Sequence, residues 1–134
     1  MTNERFLLQK KDRLTSRKKI ELLFSEGKTF FQSPFRVFWK LSETDPFLQT
    51  GIGVRSASFK RSVDRNRIKR MMREAYRLQK NELSRKLADR KIGLSIFIIY
   101  SGNELPEYSN LHQRMGKLLA RLIEMINENP EGHN

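Results

Sequence analysis

The sequence predicts an α+β domain, with helices packed on a small mixed sheet in the order α-β-β-β-α-β-α. Three observations lead there. Apolar residues recur at helical spacing in three separate segments, near residues 17–26, 63–83 and 108–127. Between the first two lie short alternating or glycine-bearing runs, and residues 92–100 form one nearly unbroken apolar run. The chain has 134 residues and no cysteine, which suits one self-supporting core and leaves no disulfide framework or thiolate metal site.

Residues 1–12 read as a flexible basic arm, 13–128 as a single domain and 129–134 as a loose tail. Thr15 or Ser16 is placed to cap a first helix running to about Glu26, where Gly27 ends it. Ile20, Leu23 and Phe24 recur along that helix at helical spacing. Thr29–Phe31 is a short extended piece. Phe35–Leu41 alternates with period two, setting Phe35, Val37, Trp39 and Leu41 on one face and Arg36, Phe38 and Lys40 on the other. Phe38 is thus an aromatic on the face that otherwise reads as wet. Ser42–Pro46 forms a turn, and Thr50–Arg55 a strand whose glycines leave space for another chain to approach.

A central helix is expected from about Val63 to Leu83. At 3.6 residues per turn, Ile68, Met71, Met72, Ala75, Leu78 and Gln79 share one broad side. Asn66, Lys69, Arg70, Arg73, Arg77 and Lys80 cluster opposite, with Arg65 and Arg67 at the edges. Ile92–Tyr100 is apolar enough for a central strand covered on both faces. Ser101–Pro106 is a loop. A last helix over Tyr108–Asn127 buries Leu111, Met115, Leu118, Leu119, Leu122, Ile123 and Ile126.

The formal net charge is +12, and its distribution is uneven. Residues 1–28 carry +4, 29–54 are neutral, 55–91 carry +10 and 92–134 carry −2. A field concentrated in this way steers the protein toward phosphate-rich partners. The plainer reading of the central cluster is a solvated helix face or a basic address signal. Against it, the excess is mostly arginine, with few acids at (i, i+4), and the guanidinium fork matches phosphate oxygens. No zinc ligands, heptad zipper or helix-turn-helix pair accompanies the cluster, so binding of RNA by shape and phosphate fits better than reading base edges of duplex DNA.

Other classes fare worse. His112 and His133 lack ligand spacing, and no histidine or cysteine nucleophile lies near the cations. Asp64, Glu74 and Glu82 read as a cap and as spacers between cations, with a hydrated Mg²⁺ at Asp64 as the alternative. No segment approaches the ~20 apolar residues needed to span a bilayer, and the N-terminus has no secretory apolar region, so the expected location is the cytoplasm.

The run Val63-Asp64-Arg65-Asn66-Arg67-Ile68-Lys69-Arg70, followed by Arg73-Glu74-Ala75, resembles the Arg-Asn-Arg signature of the bacterial ribonuclease P protein subunit. Arg13-Leu14, the helix ending in Phe24 and Gly27, Gly51-Ile52-Gly53-Val54 and the strand near 92–100 extend the similarity over most of the chain. The resemblance implies a sandwich like the second domain of ribosomal protein S5, with a left-handed βαβ crossover. It implies a role in removing the 5′ leader of precursor tRNA as part of a ribonucleoprotein endoribonuclease. In that enzyme the catalytic RNA performs Mg²⁺-dependent phosphodiester hydrolysis and the RNA components hold most of the Mg²⁺. The implied partners are the catalytic RNA, in a 1:1 complex with an otherwise monomeric protein, and precursor tRNA.

Carried over residue by residue, Arg65, Asn66, Arg67, Lys69, Arg70 and Arg73 match the signature that contacts the catalytic RNA, with Lys60, Arg61 and Arg77 flanking it. Ile20, Phe24, Phe38 and Arg55 fall in the leader-binding cleft, between the first helix and the sheet. Phe38 then has two readings, a platform for a leader base or a residue packed under the first helix. Ile20 departs from the aromatic often found at its position. The segment from Arg55 to Ser62 is one residue longer than the family's commonest version and lacks its glycine. The alternatives from other classes are a ribosomal or general RNA-binding module without a processing role, and a stand-alone nuclease.

Overall fold

A computed structural model describes residues 13–14, 16–43 and 48–128. The expected arm, the Thr15 alternative for the first cap, most of the turn near Pro46 and the expected tail fall outside them. The elements are α1 (Arg17–Glu26), β1 (Lys28–Gln32), β2 (Phe35–Ser42), β3 (Leu48–Val54), α2 (Ser62–Gln79), α3 (Asn81–Arg90), β4 (Gly93–Tyr100) and α4 (Tyr108–Asn127).

The four strands form one sheet in the order β1-β2-β4-β3. β1 and β4 run antiparallel to β2, whereas β3 runs parallel to β4. The parallel pair needs a crossover, which α2 and α3 supply as a βαβ unit. The period-two reading of β2 holds: Phe35, Val37, Trp39 and Leu41 are buried, and Arg36, Phe38 and Lys40 face the other way.

Three helices cover the inner face of the sheet, and α1 alone lies on the outer one. Beneath the helices, Val37, Trp39, Ile96 and Ile98 meet Ile68, Met72, Leu83, Leu111, Met115, Leu118 and Leu122 in one continuous core. Leu94, Ile96, Ile98 and Tyr100 of β4 are buried there, while Ser95, Phe97 and Ile99 on the outer face stay half-exposed. The expected cover on both faces is therefore incomplete, since α1 is the one helix on the outer face and contacts mainly β2 and β4.

The long central helix is in fact two. α2 ends at Gln79, Lys80 makes a turn, and α3 continues to Arg90, so the order gains a helix. Leu83 and Leu87 bury the inner side of α3. Gln79 Nε2 marks the junction, donating to Ala75 O at 3.0 Å and to His112 O of α4 at 2.9 Å. On α2 the buried stripe is Ile68, Met72, Ala75 and Tyr76, whereas Leu78 is exposed. Tyr76, on the opposite flank of that stripe from Leu78, is buried beside a polar partner. Its hydroxyl lies 2.6 Å from Thr50 Oγ1, itself buried in β3. Thr50 O in turn accepts the Leu14 N–H at 2.9 Å, tying the segment ahead of α1 to β3.

Tyr76→Phe removes that hydroxyl and leaves Thr50 Oγ1 buried without its partner. The expected result is a loss of about 1–3 kcal/mol in urea-unfolding stability, with RNA affinity of the folded protein retained.

Ser16 caps α1, its Oγ accepting the Lys19 N–H at 3.4 Å. Gly27 ends the helix with extended backbone rather than left-handed geometry, φ −75° and ψ 163°. The reason for glycine here is space: a Cβ would lie 2.8 Å from Leu23 Cδ1 and 3.0 Å from Trp39 O. No helix among the described residues is long and apolar enough to cross a membrane.

Candidate nucleic-acid interface

The outer face carries a groove of about 700 Å³ between α1 and the sheet, lined by Phe24, Phe31, Arg36, Arg55, Phe97 and Ile99 among others. Strand register brings these residues together. Phe31 pairs with Arg36, Arg36 with Ile99, and Phe38 with Phe97. Phe97 pairs in turn with Gly51 of β3. The glycines of β3 leave room for a neighbour, but that neighbour comes from the same chain. A Cβ at Gly51 would lie 2.3 Å from Phe97 Cδ2, and one at Gly53 3.0 Å from Phe97 Cε1. The Phe97 ring therefore lies across β3 and paves the groove floor.

Phe24 stands over this floor. Its ring centroid is 5.3 Å from that of Phe97, edge to face, and 4.7 Å from that of Phe38. Phe24 remains 43% exposed, so its free face is open to a planar ligand. Of the four cleft residues expected from the sequence, Phe24 and Arg55 line the groove. Phe38 packs against Phe24 and is half-buried. Ile20, one turn earlier on α1, is half-buried and not part of the groove wall. Phe97 and Phe31 were not singled out from sequence. Two glycines on β3 facing one aromatic of the neighbouring strand are the signal for Phe97.

Arg55 closes one end of the groove. Its Nε and Nη2 donate to Ser58 Oγ at 3.2 and 3.1 Å, and Nη2 also reaches Asn103 Oδ1 at 3.4 Å. This network holds the guanidinium in place, and an arginine has five N–H donors, so some remain for a phosphate. The loop that departs from the family pattern is ordered by the same contacts and by Phe59, buried 6.1 Å from the Tyr100 ring.

α2 leads from that loop and carries the cationic face. Asn66, Arg67, Arg70 and Arg73 are exposed, and Lys69 is half-exposed. Partial burial and the neighbouring Arg13 guanidinium both lower the Arg73 pKa from its usual value. An arginine so perturbed stays charged at neutral pH, and two adjacent guanidinium groups favour an anionic ligand.

Two of the expected RNA contacts also have partners within the chain. Arg65 Nη1 donates to Phe59 O at 2.7 Å and Lys60 O at 2.8 Å, fastening the loop to the helix start. Arg77 is paired with Glu74, through Nε–Oε1 at 3.2 Å and Nη2–Oε2 at 2.5 Å, and is only half-exposed. Its charge is spent on a neighbour one turn away, which helical-wheel sorting does not register. Lys60 and Arg61 are exposed ahead of α2. Asp64 is not the cap: Arg61 occupies that position without a side-chain cap bond. Asp64 sits in the first turn, where its charge complements the helix dipole, with Oδ2 3.8 Å from Arg61 Nε.

The donor set does not suit a resident Mg²⁺. Among the described residues no three acidic, histidine or cysteine side chains gather, and Asp64 and Glu74 both face arginines.

Known proteins resemble this chain. The family model Ribonuclease P matches residues 8–123. The Ribonuclease P protein component of Porphyromonas gingivalis is 37% identical over 119 residues, covering 87% of each chain. That of Chlorobium phaeobacteroides is 30% identical over 132 residues, covering 88% of this chain and 90% of its own. Among solved structures, the RNase P protein from Thermotoga maritima aligns with a TM-score of 0.59 at 24% identity, over 81% of this chain and 96% of that one. The Staphylococcus aureus RNase P protein aligns at 0.58 and 17% identity, over 86% and 94%. At these identities the two structures speak for the fold.

Proposed function

The chain belongs to the ribonuclease P protein family, and from that membership we propose how its two surfaces divide the work of the ribonucleoprotein. The observation that carries the proposal is their placement. The cationic helix α2 packs on one face of the sheet, the aromatic groove opens on the other, and the loop 55–61 joins them. One protein can thus hold two RNA segments at once.

On this reading, Asn66, Arg67, Lys69, Arg70 and Arg73 bind phosphates of the catalytic RNA, with Lys60 and Arg61 at the margin. Arg65 contributes by fixing the loop. The groove holds the unpaired 5′ leader of precursor tRNA, with a base on the open face of Phe24 and a phosphate at Arg55. Phe38 and Phe97 act behind Phe24, setting its angle. Mg²⁺, held by the RNA components, supplies the hydrolytic chemistry. This chain binds and orients, raising the effective concentration of the leader beside the catalytic RNA. A 1:1 complex in the bacterial cytoplasm completes the proposal.

Phe24→Ala tests the groove. Base–aromatic stacking is worth roughly 1–3 kcal/mol per base, so the variant should bind leader-bearing precursor about fivefold or more weakly. Mature tRNA binding should not change. Equal losses for both RNAs would remove the leader from the groove and favour a general RNA-binding module.

A further inference from the structure

We propose that Phe31 and Arg36 form an outer subsite of the groove that takes one further unpaired nucleotide, its base on the Phe31 ring and its phosphate on Arg36. The inference rests on the reading that the groove holds the leader.

Phe31 is 48% exposed on an edge strand, on the same face of the sheet as Phe38 and Phe97. Burial offers no reason for a phenylalanine there. Its cross-strand partner Arg36 places its guanidinium carbon 5.7 Å from the ring centroid. An exposed pair of this kind stabilises the sheet only slightly. It does, however, set a flat apolar surface beside a charge whose in-plane N–H groups are free to meet a phosphate. Among the described residues no carboxylate pairs with Arg36.

The platform is also held from behind. Arg121 of α4 donates to Phe31 O at 2.9 Å and to Gln32 Oε1 at 3.1 Å, and lies 4.8 Å from the ring centroid of Phe30. Phe30 itself is buried. The edge strand is thereby pinned to the core, and Phe31 is presented to solvent on a fixed backbone. Pre-organisation of this kind lowers the ordering cost of binding. Both residues line the same groove as Phe24 and Arg55, so one single strand can run from the inner platform to the outer one.

The test is a series of precursors whose leaders lengthen one nucleotide at a time, bound to the protein assembled with its catalytic RNA. Phe24→Ala, Phe31→Ala, Phe31→Trp and Arg36→Ala are compared with the parent, after thermal melts confirm folding. Phe31→Ala is expected to weaken binding about fivefold or more, but only beyond a threshold leader length that differs from the Phe24 threshold. Phe31→Trp should restore the parent's affinity, and Arg36→Ala should show the Phe31 threshold. An effect of Phe31→Ala at every length, at none, or with the Phe24 threshold would overturn the outer subsite. If Phe24→Ala also fails to separate precursor from mature tRNA, the groove reading itself falls. If Phe24→Ala alone separates them, only the outer subsite does.

Discussion

Replacing Arg67, Arg70 and Arg73 together by alanine should lower affinity for the catalytic RNA by about 10³-fold or more. Each is exposed on α2, and a hydrogen bond to a charged group is worth about 1.5–3 kcal/mol. The slope of log affinity against log salt should flatten by about 2–3, because each lost phosphate contact removes nearly one unit. Stability should move little, since surface substitutions usually fall within about 0.5 kcal/mol. Filter binding across a salt series, with a thermal melt beside it, checks both. Wild-type affinity and slope would place the RNA on another surface. Arg77→Ala is the internal contrast, because Glu74 already occupies its guanidinium.

The second large effect comes from a single methyl group. In Gly51→Ala the new Cβ would lie 2.3 and 2.5 Å from Cδ2 and Cε2 of Phe97. The ring is confined by Phe24 above and β3 below, so it must swing into the groove. Overpacking of this kind typically costs about 1–3 kcal/mol. The displaced ring also takes the space proposed for the leader. The variant should melt lower and lose its preference for precursor over mature tRNA while keeping affinity for the catalytic RNA. Gly53→Ala, whose nearest ring contact would be 3.0 Å, should be milder on both counts. Unchanged preference in Gly51→Ala would show that Phe97 does not shape the groove.

Much of this was legible in the sequence because it rests on periodicity. Alternation in Phe35–Leu41 gave β2 its faces, and the apolar stripe of Tyr108–Asn127 gave α4 with both ends. The cationic face of α2 was legible for the same reason. The break at Lys80 was not, since α3 begins without a side-chain cap and is capped at its end by Lys91, a lysine in left-handed backbone rather than a glycine. Tyr76 was missed because its burial depends on a hydroxyl partner 26 residues away. Phe97 read as one more apolar residue in a strand, and only the parallel register with Gly51 makes it a groove floor. Arg65 shows the remaining limit: spacing locates a guanidinium, whereas the carbonyls it also fastens are seen only in the fold.

On the proposed reading, this protein serves a catalytic RNA by holding both that RNA and the leader of its substrate. Single-turnover cleavage of a leader-bearing precursor by the matching catalytic RNA, titrated with Mg²⁺ with and without the protein, tests it most directly. The protein should shift cleavage to lower Mg²⁺, and it should cleave nothing without the RNA. Identical Mg²⁺ dependence with and without the protein, or cleavage by the protein alone, would contradict it.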